Sequence, residues 1–301
     1  MSKITVPVPP AAGQPARRER VPLGILYMVG ATLMFAGSSA ISKWQVATYP
    51  VGEVLFIRSA VSLVCCALFI LPLSGLAVFR TRRVHQHVLR SASQATAQVF
   101  IVMAFSLMPL AGAMAINFSA PLFATLVSAL VLKEAIGLVR ASALVVGFLG
   151  VLIVTNPGAD TLQVGALLAL ANAVLYGSVT AAVRGMTATE STETLTMYQM
   201  ILVTAYFALF VPFGFIVPTL SDGAMLAGNG VFNAFAQYWW TRALHLAPAS
   251  AVTPFYYLSL VWAIVIGYVV WGDLPTVGLL IGSAIVVGSG LFLLWRETVR
   301  R

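Results

Sequence analysis

Six polar residues in an otherwise apolar chain fall into two matching rows. Arg90, Gln94 and Gln98 recur at every fourth position, and so do Asn229, Asn233 and Gln237. That spacing puts each row on one face of a helix. Amide side chains donate and accept hydrogen bonds but are neither nucleophiles nor bases, so the chemistry they offer is recognition. In hydrocarbon they must find partners and seldom face lipid. Asn117, Asn172 and Tyr176 belong with them, the last two again four positions apart. The runs Gln237-Tyr238-Trp239-Trp240 and Tyr256-Tyr257 add flat apolar rings beside polar tips. The candidate substrate site is thus Gln94, Gln98, Asn117, Asn172, Tyr176, Asn233, Gln237, Trp240 and Tyr257. The competing use of any one amide is a bridge between neighbouring helices, worth about 0.6 kcal/mol. For Trp240 and Tyr257 it is a place in an interfacial belt or against lipid.

Charge adds one puzzle and several exclusions. Arg58 lies seven positions inside the second apolar run, where a cation costs roughly 2.5 to 3.5 kcal/mol. Outward snorkelling is the favoured solution, with Glu53 or a substrate carboxylate as alternative partners. None of the nine acidic residues falls at the centre of a predicted helix, which points to facilitated movement rather than tight proton coupling. His245 beside Arg242 reads as structural. Three histidines, and no phosphate loop, nucleophile elbow or zinc signature, argue against an enzyme and call for no metal or cofactor. The adjacent Cys65 and Cys66 read as small packing residues.

The elements that must position these residues follow from composition. Apolar residues make up 60% of the 301 and charged residues 9%, more than a water-soluble fold of this size can hide. Runs long enough to span a bilayer begin near Val21, Val51, Val88, Ala111, Gly137, Leu162, Thr194, Gly223, Ala249 and Thr276. The sequence thus predicts an all-α integral membrane protein of ten transmembrane helices. With the N-terminus inside, fifteen Lys and Arg fall on the inner side and only Lys43 and Arg58 on the outer, so both termini are expected in the cytoplasm. That distribution, in short clusters between apolar runs, makes the net charge of +8 a matter of orientation and not of nucleic-acid binding. The polar, Pro-rich stretch 1–20 is read as a disordered cytoplasmic tail without a cleavable signal, and 297–301 as a second short tail.

The chain also repeats itself. An offset of 139 sets Gln98 on Gln237, Gln94 on Asn233, Glu134 on Asp273 and the surroundings of Pro109 on those of Pro248. Lys43 and Arg184 correspond at 141. Ten spans divide into two halves of five, 21–156 and 157–296, and because five is odd the second half enters the membrane inverted, a transporter architecture.

In these features the chain resembles the drug/metabolite transporter superfamily, EamA type. The resemblance rests on Ala104-Phe105 before Pro109, the small residues around Ala113, Pro121, Lys133-Glu134, Gly147 and Gly150-Val151. The second half keeps the pattern loosely: Leu260 replaces a second proline, and Gly272-Asp273 the usual acidic ending with Glu. Within the superfamily it is most similar to the bacterial aromatic amino-acid exporters of the YddG type. The resemblance implies export of amino acids, aromatic and other neutral ones, or related metabolites across the bacterial inner membrane by alternating access. It also implies a cavity lined by spans one, three, four, six, eight and nine. The expected partners are that small molecule and membrane lipid, with monomer and homodimer both open. A flippase or exporter of a lipid-linked or drug-like substrate is the alternative, and a sensor or scaffold without transport the second.

Overall fold

The computed structural model describes residues 20–120, 122, 123, 126, 138–155, 160–186, 190–247 and 249–299. Every regular element among them is helical: α1 Val21–Gln45, α2 Val51–Ser74, α3 Val84–Leu107, α4 Leu110–Asn117, α5 Leu138–Thr155, α6 Asp160–Met186, α7 Thr192–Ala208, α8 Leu220–Leu246, the short α9 Ala249–Val252, α10 Leu258–Trp271 and α11 Val277–Val299. Five segments among the described residues are long and apolar enough to cross a membrane: Val21–Gln45, Val51–Phe79, Val84–Leu107, Glu193–Phe213 and Pro254–Trp271. Ala141–Val154, Val164–Val179 and Val277–Phe292 are shorter apolar helices.

Local chemistry sets the ends. Ser191 Oγ accepts the Thr194 amide at the start of α7, and Thr219 does the same for Asp222 at the start of α8, each satisfying a donor the helix leaves free. Gly272, at φ 69°, closes α10 in the left-handed conformation that favours glycine. Pro109 precedes α4, where its missing N–H costs no helix bond.

Two boundaries depart from the sequence reading. α3 begins at Val84 rather than near Val88. The span expected to run unbroken from Ala249 is divided, with a 3-10 turn over Thr253–Tyr257 between α9 and α10. Pro254 lies in that turn and cannot donate to a carbonyl four residues back. The Gly137 start, Glu134, Lys133 and Pro121 lie outside the described residues.

The helices pair in a regular way. α1 packs along α8 and α3 along α6; α2 packs on α8 and α3 on α7; α1 meets α10 and α4 meets α6. Three further pairs are α2 with α7, α4 with α10, and α5 with α11. α5 and α11 approach closely at two glycines: a Cβ on Gly150 would stand 2.9 Å from the Gly282 carbonyl oxygen, and one on Gly282 2.7 Å from that of Gly150. Large apolar side chains point outward along α2, α5, α10 and α11, among them Leu68, Leu73, Val145, Leu149, Val269 and Ile281. Small and apolar side chains fill the interior, where the main cluster joins α2, α3, α4, α6, α7 and α10 through Leu55, Val102, Leu110, Ala169, Phe207 and Leu260.

Candidate functional site

Two polar clusters lie inside this bundle. The first joins α1, α2, α3 and α8. Ser38 donates to Asn229 at 2.6 Å, and the Asn229 amide donates to Ser42 at 2.9 Å and to Gln45 at 3.4 Å. The Arg58 guanidinium reaches Ser42 at 3.4 Å and donates to the Gln98 carbonyl oxygen. Ser62 Oγ stands 2.8 Å from the backbone oxygens of both Arg58 and Gly230, which compete for its one proton, and accepts from Asn233 at 3.0 Å. Ser38, Ser42, Ser62 and Asn229 are all buried, so these bonds are made where an unmade one would cost about 1–3 kcal/mol.

Arg58 does not snorkel. Its side chain is only 8% exposed, held inward because Ser42 and Gln98 stand within reach. Glu53 is not its partner either. That carboxylate is fully buried near the start of α2, one oxygen accepting the Ile216 amide at 2.9 Å and the other unbonded. Among the described residues the one carboxylate–cation pair within 4.0 Å is Lys43 with Asp273. Arg58 therefore has neutral partners only, and its Nε is buried without one.

The second cluster joins α4, α6 and the α9–α10 segment. Asn172 donates to Asn117 at 2.6 Å, and the Tyr176 and Tyr256 side chains interact. The Tyr256 ring stands edge-on to Phe35 at 6.5 Å and to Phe118 at 5.6 Å. Trp262 donates from its indole N–H to Thr32 at 3.1 Å. Phe35 and Ser42 lie seven positions apart on α1, so the aromatic group and the guanidinium are two helical turns apart along one face.

One end of the bundle is fastened by Lys43. Its ammonium donates to the Met108 carbonyl at 3.1 Å, stands 3.6 Å from Asp273 and lies 4.9 Å over the Trp271 ring. It thereby ties the end of α1 to the α3–α4 link and the α10–α11 link. Nearby, Tyr49 donates to Asp222 at 2.7 Å, a bond that raises its phenol above the ordinary value. At the other end the contacts are backbone and small side chains: the Arg20 amide donates to the Leu246 carbonyl at 3.0 Å, and a Cβ on Gly24 would sit 2.8 Å from that of Ala247.

The nine candidate residues thus divide. Gln98, Asn117, Asn172, Tyr176 and Asn233 enter the two clusters. Gln94 is buried on α3 and Gln237 half-buried on α8, and neither has a side-chain hydrogen bond among the described residues. Trp240 packs beside Met28, Ala243 and Val252, at the corner of α1, α8 and α9. Tyr257 turns away: it tilts against Phe118 at 5.2 Å, and its hydroxyl abuts Gly290 of α11. The ring placed with Tyr176 is its neighbour Tyr256. The sequence reading also missed Ser38, Ser42, Gln45 and Ser62; for Ser38 and Ser42 the available signal was a run of small and hydroxyl residues along α1. The His245 side chain lies outside the described residues. Cys65 and Cys66 are free thiols, Cys66 buried, and among the described residues no group of His, Cys, Asp or Glu is placed to hold a metal.

The model of the EamA-like transporter family matches residues 22–156 and again 163–295. A riboflavin transporter of Rhizobium johnstonii is 30% identical over 94% of each chain. A pseudopaline exporter of Pseudomonas aeruginosa is 28% identical over 88% of this chain and 93% of its own. An S-adenosylmethionine uptake transporter of Rickettsia bellii is 24% identical over 91% and 94%. A solved crystal structure superposes with a TM-score of 0.64, covering 89% of this chain and 97% of its own at 22% identity.

Proposed function

The chain belongs to the EamA-like transporter family, and we propose that it carries a small amphipathic metabolite with a fused aromatic ring across the bacterial inner membrane. Riboflavin is the first candidate. The observation that carries this reading is the layout along α1: rings at Phe35 with Tyr256 and Phe118, and the donors of Arg58 and Gln98 two turns further on. Two turns of helix are about 11 Å, a length that suits a fused ring system with polar substituents better than a single amino acid. The riboflavin transporter among the relatives supports the same substrate class.

In this reading ten spans form two inverted five-helix repeats, both termini are cytoplasmic, and the substrate passes by alternating access. The pairing pattern supports it: exchanging α1, α2, α3, α4 and α5 with α6, α7, α8, α10 and α11 returns the same set of major partners. The carrier is facilitative, since no acidic side chain among the described residues stands mid-helix between the two clusters, and a facilitative carrier moves substrate down whichever gradient exists.

Export of aromatic and other neutral amino acids is the second reading, favoured by one feature, the buried Arg58 without a carboxylate. Counterflow of labelled riboflavin in proteoliposomes holding the purified chain tests the choice. Saturable uptake competed by excess riboflavin and not by phenylalanine, with or without a proton gradient, is the expected outcome. Uptake of phenylalanine alone would replace the first reading with the second, and uptake of neither would defeat both.

A further inference from the structure

Within the proposed transport function, on which this step rests, the substrate subsite has a definite polar end. We propose that Arg58 and Gln98 receive a planar edge of the substrate bearing two acceptor atoms, either a carboxylate or a conjugated N–C=O edge of a heterocycle. A guanidinium carries five N–H donors in a fixed fork that matches such an edge. Arg58 uses one on Ser42 and one on Gln98, and its Nε–H is buried and free. A buried cation is ordinarily paired with a charge or satisfied on all sides. Here the described surroundings supply only a hydroxyl and an amide oxygen. A molecule offering two acceptors completes the shell.

Gln98 serves as the positioning partner. Its carbonyl oxygen holds the guanidinium from α3 while Ser42 holds it from α1, fixing the plane of the fork between two helices. A lysine at position 58 keeps the charge but not the planar pair of donors.

The same chemistry arises from two sources, and the arms of the experiment tell them apart. The full chain is purified in detergent as wild type, Gln98→Glu, Arg58→Lys and Arg58→Gln. Thermal unfolding is followed alone and with riboflavin, benzoate or benzyl alcohol. Gln98→Glu gives Arg58 an internal carboxylate, so without any ligand its midpoint is expected several degrees above wild type. Benzoate is expected to stabilise wild type where benzyl alcohol does not, and riboflavin to do so if the heterocyclic edge is the substrate's. Both shifts are expected to vanish in Gln98→Glu and Arg58→Gln, and Arg58→Lys to retain only a part. An unchanged or lower midpoint for ligand-free Gln98→Glu would overturn the proposal, because Arg58 would then lack nothing. So would equal stabilisation by benzoate in wild type and Gln98→Glu. These outcomes need no transport, so a wrong choice of transported substrate shows in the counterflow experiment and a wrong role for Arg58 shows here.

Discussion

The rows on α3 and α8 carry the same spacing of polar residues and are put to different uses. On α8 the first two amides are consumed by neighbours: Asn229 by Ser38, Ser42 and Gln45, Asn233 by Ser62. These bonds stitch α8 to α1 and α2. On α3, Arg90 donates to the Leu195 carbonyl at 2.8 Å, Gln94 bonds to nothing described, and Gln98 engages a cation. Each row keeps one amide without a side-chain bond among the described residues, Gln94 on α3 and Gln237 on α8; the difference is that the α8 row bonds to small neutral side chains and the α3 row holds a buried cation. Periodicity alone marks a buried polar face; whether that face is free depends on what the opposing helices present.

The sharpest way to break this comparison is Asn229→Leu. It strands the Ser38 hydroxyl and the Gln45 carbonyl oxygen and takes one donor from Ser42, and a loss of about 3 kcal/mol is expected from unsatisfied buried groups, read as a lowered unfolding midpoint in detergent. Indifference of the midpoint would mean that Asn229 does not hold α8 to α1. Asn233→Leu loses one interhelical bond and is expected to cost about 1 kcal/mol by the same measurement. Gln94→Leu should leave stability within about 0.5 kcal/mol while lowering riboflavin counterflow severalfold; unchanged flux would remove Gln94 from the site. The smallest effect is expected at the fastened end. Asp273→Asn weakens a partly exposed pair worth at most about 1 kcal/mol, yet it should increase quenching of tryptophan fluorescence by iodide as Trp271 loses its cover.

Much of this was legible from residue types. An all-helical apolar bundle followed from composition, and spacing and residue class pointed to five residues that the structure gathers into two polar clusters. The departures have local causes. The sequence offers Tyr256 and Tyr257 side by side, and in an unbroken helix each residue turns about 100°. The 3-10 turn at Pro254 turns about 120° per residue, so the phase carried through it is wrong by a side chain. The serines of α1 escaped because a hydroxyl in a helix can satisfy itself on a carbonyl one turn back, as Ser42 does on Ser38 at 2.8 Å. Sequence gives no sign of which serines also reach across. For Arg58 the sequence offers outward snorkelling, Glu53 or a substrate carboxylate; the acceptors that hold it inward, Ser42 and Gln98, come from two other helices.

The seam between α1 and α8 carries a mechanical consequence. Side chains added at Gly30 and Gly37 would stand 2.8 Å from Trp239 and Phe232, so rings of α8 are seated in notches along α1. Notches and rings resist sliding, as teeth resist the slip of two racks. The pair then moves as one beam, and any opening of the bundle has to run along a different cleavage plane.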